Sequence, residues 1–223
     1  RQDSAETVVR LGALSNVEGG LLPEVLHALH GRHPHLRMEV DTGTSAGLLA
    51  RLRLGELDLV LGRLSEAEEI RDLQFEHLYH EPLIAVVRHD HPLLEHGQTP
   101  DTAALMRYPW VVPPRGTTLR EQLERFWVEQ AATPLRLAIE TLSLPLSTRY
   151  VLMSDAIWVT PRDTAREGIA TGTMTPLAEP IEIHGGSVGF AINTCQPSPR
   201  AVQFFCACLR KTASRYQDAA TGP

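Results

Sequence analysis

A serine between two glycines has the setting of a catalytic nucleophile. Residues 43–47 read Gly-Thr-Ser-Ala-Gly, the G-x-S-x-G pattern of a nucleophile elbow, between a predicted strand and a predicted helix. Asp155 and His184 follow in the order that α/β-hydrolases use. However, only about forty residues precede Ser45, which leaves little room for the strands and the oxyanion loop that come before such an elbow. We therefore interpret Ser45 as a helix N-cap and predict no catalytic residue.

Polar residues at four predicted strand-to-helix junctions favour the binding of an anion instead. In open parallel sheets such junctions meet at the carboxyl ends of the strands, where helix-start amides attract negative charge. Arg63 and Arg115 add guanidinium groups that suit a carboxylate. The alternative is that the hydroxyls only cap helices and the arginines are solvated, but their convergence on one edge favours a ligand site. The candidate residues are Asn16, Thr44, Ser45, Arg63, Arg115, Gly116, Thr117, Thr118, Thr141 and Ser143.

Histidines and cysteines offer metal and redox chemistry, for which the spacing gives little support. The 10 histidines include clusters at residues 27–35 and 89–96, but neither has a partner at zinc-motif spacing, so we interpret them as solvated and predict no metal. Cys206 and Cys208 lie two residues apart on a predicted helix, where we expect them to be buried by packing. The odd total of 3 cysteines favours a reducing cytoplasm. No Walker motif or G-x-G-x-x-G occurs, so we predict no cofactor.

The composition is that of a globular chain long enough for one or two domains. Of 223 residues, 43% are hydrophobic and 22% are charged, which excludes a disordered or fibrous chain. The net charge of −6 argues against a broad basic face for nucleic acid within this chain. No apolar run approaches the roughly 18 residues that span a bilayer, and no secretory signal is visible.

Hydrophobic periodicity predicts the elements that position the candidate residues. Residues 8–61 read as three strands and two helices in the order β-α-β-α-β, which implies parallel strands with right-handed crossovers. Residues 16–20 are predicted to form a turn. The second helix is predicted to begin after Ser45 and to end at Gly55.

The pattern restarts at Leu83 and ends with a strand and a helix left over. A capping box of Thr118 and Glu121 predicts the start of one helix, and Thr160-Pro161 and Ser198-Pro199 predict the starts of two others. The economical arrangement is an α/β fold with two Rossmann-like lobes joined by two crossing strands and a ligand cleft between them. The predicted domains are residues 1–82 plus 187–223, and residues 83–186.

The order of elements and several short motifs resemble the effector-binding domain of LysR-type transcriptional regulators. The resemblance covers nearly the whole chain, and Arg63-Leu64 resembles the subgroup of protocatechuate- and galactose-type regulators. Its motifs are Val9-Arg10-Leu11-Gly12, Leu21-Leu22-Pro23, Thr44-Ser45 with Leu48-Leu49, Leu-Gly-Glu-Leu-Asp-Leu-Val-Leu-Gly at residues 54–62, His91-Pro92-Leu93, and Pro-Arg-Gly-Thr-Thr-Leu-Arg at residues 114–120.

The resemblance implies a function and a set of partners. It implies a periplasmic-binding-protein-like fold in a bacterial, cytoplasmic regulator that is not an enzyme and needs no membrane. Such regulators carry an N-terminal helix-turn-helix before this domain and use a small molecule in the interdomain cleft to change how they engage promoter DNA. By matching position, the ten candidate residues face that effector, expected to be a carboxylate, although many relatives have Ser where this chain has Asn16.

The resemblance also implies a homodimer or homotetramer, formed through the first long helix (residues 21–30) and a helix of the second domain. Redox-sensing members carry cysteines at other positions, so no thiol sensing is predicted. Two alternatives stay open: a periplasmic solute-binding protein, which shares the architecture, and a serine hydrolase built on Ser45.

Overall fold

A computed structural model describes residues 7–64, 70, 72–95, 100–129, 136–177, 183–195 and 198–219. The chain divides into two compact units, Arg1–His80 with Gly186–Pro223, and Glu81–Gly185. The sequence places these boundaries at residues 82/83 and 186/187 instead. None of the helices in the described ranges is long and apolar enough to cross a membrane.

The first unit is an α/β layer structure built around three parallel strands. Strand β1 lies between β2 and β3 and is parallel to both, as the sequence predicts, and the last strand, β9, joins β3 antiparallel. Strand β9 enters this unit from the second one. The elements are β1 (Thr7–Ala13), α1 (Ser15–Glu18), α2 (Leu21–Arg32), β2 (Leu36–Thr42), α3 (Ser45–Arg53), β3 (Leu59–Arg63), the start of β4 (Gln74–Arg88), most of β9 (Ile183–Ile192) and α8 (Arg200–Ala219).

The second unit has the same kind of organisation. Strand β5 lies between β6 and β7 and is parallel to both, whereas β4 pairs antiparallel with β7 and with β8. Its elements are the end of β4, a 3₁₀ turn (Pro92–Leu94), α4 (Thr102–Leu105), β5 (Trp110–Val112), α5 (Thr118–Glu129), β6 (Leu137–Glu140), α6 (Leu144–Leu152), β7 (Ile157–Pro161), α7 (Arg162–Ala170) and β8 (Met174–Pro176).

Each unit buries apolar side chains on both faces of its strands. In the first unit, Val9 and Leu11 pack on one face with α2 and α8, and Val60 packs on the other face with α3. In the second unit, Trp110 packs with α5 and Val111 with α6. Because burying one such side chain contributes about 1.5–3 kcal/mol, these two-sided cores hold the strand ends in fixed positions.

Several predicted elements differ from those observed. The predicted turn at residues 16–20 contains a one-turn helix, α1, and Thr160 and Pro161 end β7 instead of opening α7. Strand β4 is 15 residues long, although only residues 83–87 read as a strand. Its first half alternates only weakly in hydrophobicity, so the sequence pattern does not reveal it.

Candidate functional site

The strands β1, β2 and β3 end together at one edge of the first unit, where four of the candidate residues lie. Ala13 pairs with Thr42 on one side and with Leu61 on the other. Asn16 is buried in α1, and its Oδ1 accepts a hydrogen bond from the backbone N–H of Arg63 over 3.1 Å. The junction after β1 is therefore tied to the last residue of β3.

Arg63 is a buried cation, with 2% of its surface exposed. The alternative of a solvated arginine is therefore wrong at this position. A guanidinium costs free energy to bury unless acceptors face it, and it binds carboxylates through two parallel hydrogen bonds. Arg63 thus gives this edge of the first unit a buried positive charge.

Thr44, and not Ser45, is the N-cap of α3, which corrects the sequence prediction. The backbone of Thr44 is extended (φ −80°, ψ 154°), as a cap requires, and its Oγ1 accepts from the backbone N–H of Gly47 over 3.3 Å. Ser45 is the first helical residue and is half-buried. Its hydroxyl is thus not the capping group, and the Thr44 hydroxyl keeps its own hydrogen for an acceptor.

Within the described ranges, the carboxylate of Asp155, the acid of the possible hydrolase triad, pairs with an arginine. The Asp155 carboxylate accepts from Arg88, over 3.1 Å from Nε and 2.7 Å from Nη2. It is the backbone carbonyl of Asp155, and not its carboxylate, that lies 3.1 Å from a histidine ring, at Nε2 of His91. The side chain of His184 lies outside the described part of the structure.

Six further candidate residues lie at the ends of β5 and β6 in the second unit. Gly116 has φ +76°, a left-handed conformation that suits glycine, and Arg115 beside it is exposed. Thr117 Oγ1 accepts from the backbone N–H of Arg120 over 3.2 Å and donates to the carbonyl of Pro114 over 2.7 Å. Thr117 therefore caps α5, and the predicted capping box of Thr118 and Glu121 is wrong, because Thr118 is already helical.

The junction after β6 is fixed against the junction after β5. The backbone N–H of Thr141 donates to the carbonyl of Val112 over 3.0 Å. Thr141 Oγ1 accepts from the backbone N–H of Ser143 over 3.0 Å, and Ser143 Oγ caps α6 by accepting from Leu146 over 3.4 Å. The structure thus brings the candidate residues of β5 and β6 to one edge of the second unit.

Burial changes the pKa values of several ionisable groups, among them Glu18 and His91. Burial raises the pKa of the Glu18 carboxyl in α1, the helix that also carries Asn16. Burial also lowers the pKa of His91, against a smaller opposite effect of the Asp155 carbonyl. Nδ1 of His91 accepts from the backbone N–H of Leu93 over 3.0 Å, so the geometry assigns the hydrogen to Nε2.

Two residues were not recognised from the sequence. His91 is 1% exposed, so the interpretation of the histidines as solvated is wrong for this one. Arg120 is buried in the first turn of α5 and contacts both junctions of the second unit. Only its place in the Pro-Arg-Gly-Thr-Thr-Leu-Arg motif pointed to it. The described ranges hold no group of three or more side chains that could ligate a metal.

A groove of about 880 Å³ lies elsewhere on the first unit, between the end of α2, the outer strand β2 and the start of α8. Its apolar lining includes Leu26, Val40 and Phe204, of which Val40 is 38% and Phe204 40% exposed. Its basic lining includes Arg32 and Arg200. Uncovered apolar side chains beside an edge strand are typical of an interaction surface.

Known proteins similar to this chain give a consistent picture. A family model described as the LysR substrate binding domain matches residues 2–214. The transcriptional regulator PcaQ of Agrobacterium fabrum is 30% identical over 213 residues, which cover 96% of this chain and 68% of PcaQ. The chain thus spans about two thirds of the length of that relative.

Solved structures show the fold. The CcmR regulatory domain of Synechocystis PCC6803, in complex with 2-PG, has a TM-score of 0.77 at 20% identity and covers 93% of this chain and 97% of its own. The effector-binding domain of QuiR, in complex with shikimate, has a TM-score of 0.72 at 18% identity and covers 96% and 99%. The fold is therefore that of these periplasmic-binding-protein-like domains.

Proposed function

Because this chain belongs to the LysR substrate-binding domain family, we propose that it binds a small anionic effector, a carboxylate, and thereby regulates promoter DNA binding by a helix-turn-helix domain of the intact bacterial protein. The family consists of transcriptional regulators, and we extend to this chain that it is not an enzyme and acts in the cytoplasm. The comparisons give no support to a periplasmic solute-binding protein or to a hydrolase built on Ser45.

The buried guanidinium of Arg63 is the observation that carries this proposal. It lies at the end of β3, and its backbone is tied to Asn16 at the neighbouring strand end. With Thr44 and Ser45 at the start of α3, this edge offers positive charge, hydroxyl hydrogens and helix-start amides to a single anion. Arg115, Gly116, Thr117, Thr118, Thr141 and Ser143 are the residues that we propose for contact with the effector from the second unit.

The chemistry of the ligands in related domains supports an acid. Shikimate, named in the QuiR complex, carries a carboxylate. That effector belongs to QuiR and is not assigned to this chain. It shows that the shared fold accommodates a small organic anion.

A thermal-shift screen of small organic acids tests the proposal. An acid that binds the folded chain raises its melting temperature with increasing concentration. The size-matched neutral amides of the same acids are the control, and they should leave the melting temperature unchanged. If amides and acids shift it equally, the site does not select an anion.

We also propose that the chain forms homodimers or homotetramers through α2, with the groove beside it as part of the contact. Leu26, Val40 and Phe204 supply an apolar strip that packing within the unit leaves partly exposed. An aspartate in that strip would place a charge within an apolar contact on association, which is unfavourable. Val40→Asp should therefore shift the chain towards monomer in sedimentation velocity, whereas Leu54→Asp, at an exposed position outside the groove, should not. Equal effects would place the contact elsewhere.

A further inference from the structure

Arg120 is a buried cation with three hydrogen-bond acceptors in the second unit. Its side chain is 2% exposed. Nε donates to Glu124 Oε1 over 2.8 Å, and Nη1 donates to Glu140 Oε2 over 2.6 Å and to the carbonyl of Pro113 over 3.1 Å. The guanidinium carbon also lies 5.5 Å from the centre of the Trp127 ring. Burying a charge is unfavourable unless it is paired, so this many partners indicate a defined position for the guanidinium.

The partners of Arg120 belong to the two junctions that the proposed effector would contact. Pro113 begins the segment that leads through Gly116 to the cap at Thr117, and the cap itself accepts from the backbone N–H of Arg120. Glu140 is the last residue of β6 and directly precedes Thr141. One side chain thus links the segment after β5 to the end of β6.

The link also has an electrostatic consequence. The Glu140 side chain is 42% exposed and lies next in sequence to Thr141, where its carboxylate would repel an approaching anion. The Glu124 side chain is 45% exposed and shares the same guanidinium. Arg120 places a positive charge against both carboxylates. Because it is buried, it does so without contacting the effector itself.

We propose that Arg120 is the positioning residue of the second unit's strand-end edge: it holds the segment after β5 against the end of β6 and offsets the charge of Glu140. This inference rests on the proposed function only for its effect on the effector. The restraint on the two junctions is a property of the chain without any ligand.

Amide hydrogen exchange measured by NMR on the chain without ligand tests the restraint. The reporters are the amides of Glu121 and Thr141, which donate to the carbonyls of Thr117 and Val112. In Arg120→Gln, loss of charge-assisted bonds should speed their exchange by about tenfold or more. The amides of Ala85 and Val159, in the paired strands β4 and β7, should change by less than about twofold, because they report on wider opening of the unit.

Two further variants separate positioning from general stability. Arg120→Lys keeps the charge but not the forked geometry, so its exchange at Glu121 and Thr141 should be intermediate. Arg149→Gln, which removes an exposed arginine from the last turn of α6, is the matched control and should resemble the wild type. Equal acceleration at all four reporters would reduce Arg120 to a stabilising residue, and no acceleration at Glu121 and Thr141 would overturn the proposal.

The effect on the effector is measured separately, with any acid identified by the thermal-shift screen. Arg120→Gln should weaken that acid by about tenfold, and Glu140→Gln combined with Arg120→Gln should recover part of the loss, since the repelling carboxylate is gone. A screen without a binding acid would contradict the proposed function and leave the exchange result standing. Normal exchange with weakened binding would instead contradict the positioning role.

Discussion

The strand-end edges of the two units differ in whether the arginine at the edge is buried. In the first unit the arginine at the edge, Arg63, is itself buried and has its backbone fixed by Asn16. In the second unit Arg115 at the edge is exposed, and the buried cation is Arg120, in the first turn of the following helix α5. The first unit therefore buries the arginine at its edge, whereas the second uses a buried arginine outside its edge to hold the junctions in place.

This difference shows that an arginine near a binding edge can either contact a ligand or hold the surrounding backbone in position. A buried guanidinium has less conformational entropy to lose when a carboxylate binds, so more of the interaction energy becomes affinity. An exposed guanidinium is screened by water and salt and must be ordered first. The two edges are thus expected to contribute unequally to the binding of one anion.

The largest expected effect tests this inequality directly. Arg63→Ala should weaken the acid found in the screen by about 10- to 150-fold, because a hydrogen bond to a charged group contributes about 1.5–3 kcal/mol. Arg115→Ala should weaken it by less than about fivefold, as for an exposed ion pair. Isothermal titration calorimetry measures both, and circular dichroism confirms that each variant is folded. A larger loss for Arg115→Ala would reverse the assignment of the two edges.

The sequence predicted the strand-to-helix junctions well but could not distinguish their arginines. Parallel strands β1, β2 and β3 follow from alternating apolar residues and short connections, and the structure confirms their order. Arg63, Arg115 and Arg120 have no such pattern, because their burial depends on tertiary neighbours. Glu140, which pairs with Arg120, is 20 residues away in sequence.

Residue types alone also predicted the N-caps of α3 and α5 one residue too late in the sequence. Ser45 directly follows Thr44, and Thr118 directly follows Thr117. Either member of each pair has a hydroxyl that can cap a helix. The choice is made by the backbone, which is extended at Thr44 and helical from Ser45 onwards. The first half of β4 was missed because its hydrophobicity alternates only weakly.

A smaller expected effect concerns the response of the second unit to acid. His91 of the second unit is buried, and burial lowers its pKa in the folded chain below the usual 6.5. The unfolded chain then binds a proton more readily than the folded chain, so stability is lost as the pH falls from 7 through the folded pKa. The free energy of unfolding should fall by up to about 1.4 kcal/mol per pH unit from this one group.

Urea denaturation of the wild type and of His91→Gln at pH 7, 6 and 5 measures this contribution. The variant should lose stability at pH 7, because Leu93 and Asp155 lose part of their hydrogen bonding, but it should lose less on acidification. His89→Gln, which removes an exposed imidazole two residues before His91, is the matched control. Parallel pH profiles of His91→Gln and the wild type would show that His91 does not control the acid response.

The smallest expected effect concerns the caps, which the two edges share. Thr44→Ala and Thr117→Ala should each lower the free energy of unfolding by about 1 kcal/mol, the usual cost of losing an N-cap. Ser45→Ala and Thr118→Ala should stay within about 0.5 kcal/mol of the wild type, because neither hydroxyl caps its helix. Urea denaturation gives the four values, and a loss confined to Ser45→Ala and Thr118→Ala would restore the caps to those residues.

The pairs Thr44/Ser45 and Thr117/Thr118 also test which hydroxyl group is available to bind the effector. If capping occupies Thr44, then Ser45 is available to the ligand, and Ser45→Ala should weaken the acid while leaving stability intact. At Thr117 the hydroxyl already donates to Pro114 and accepts from Arg120, so Thr118→Ala should be the more damaging change for binding in the second unit. If Thr44→Ala and Thr117→Ala weaken binding more than Ser45→Ala and Thr118→Ala do, the junctions act on the effector only through their backbone geometry.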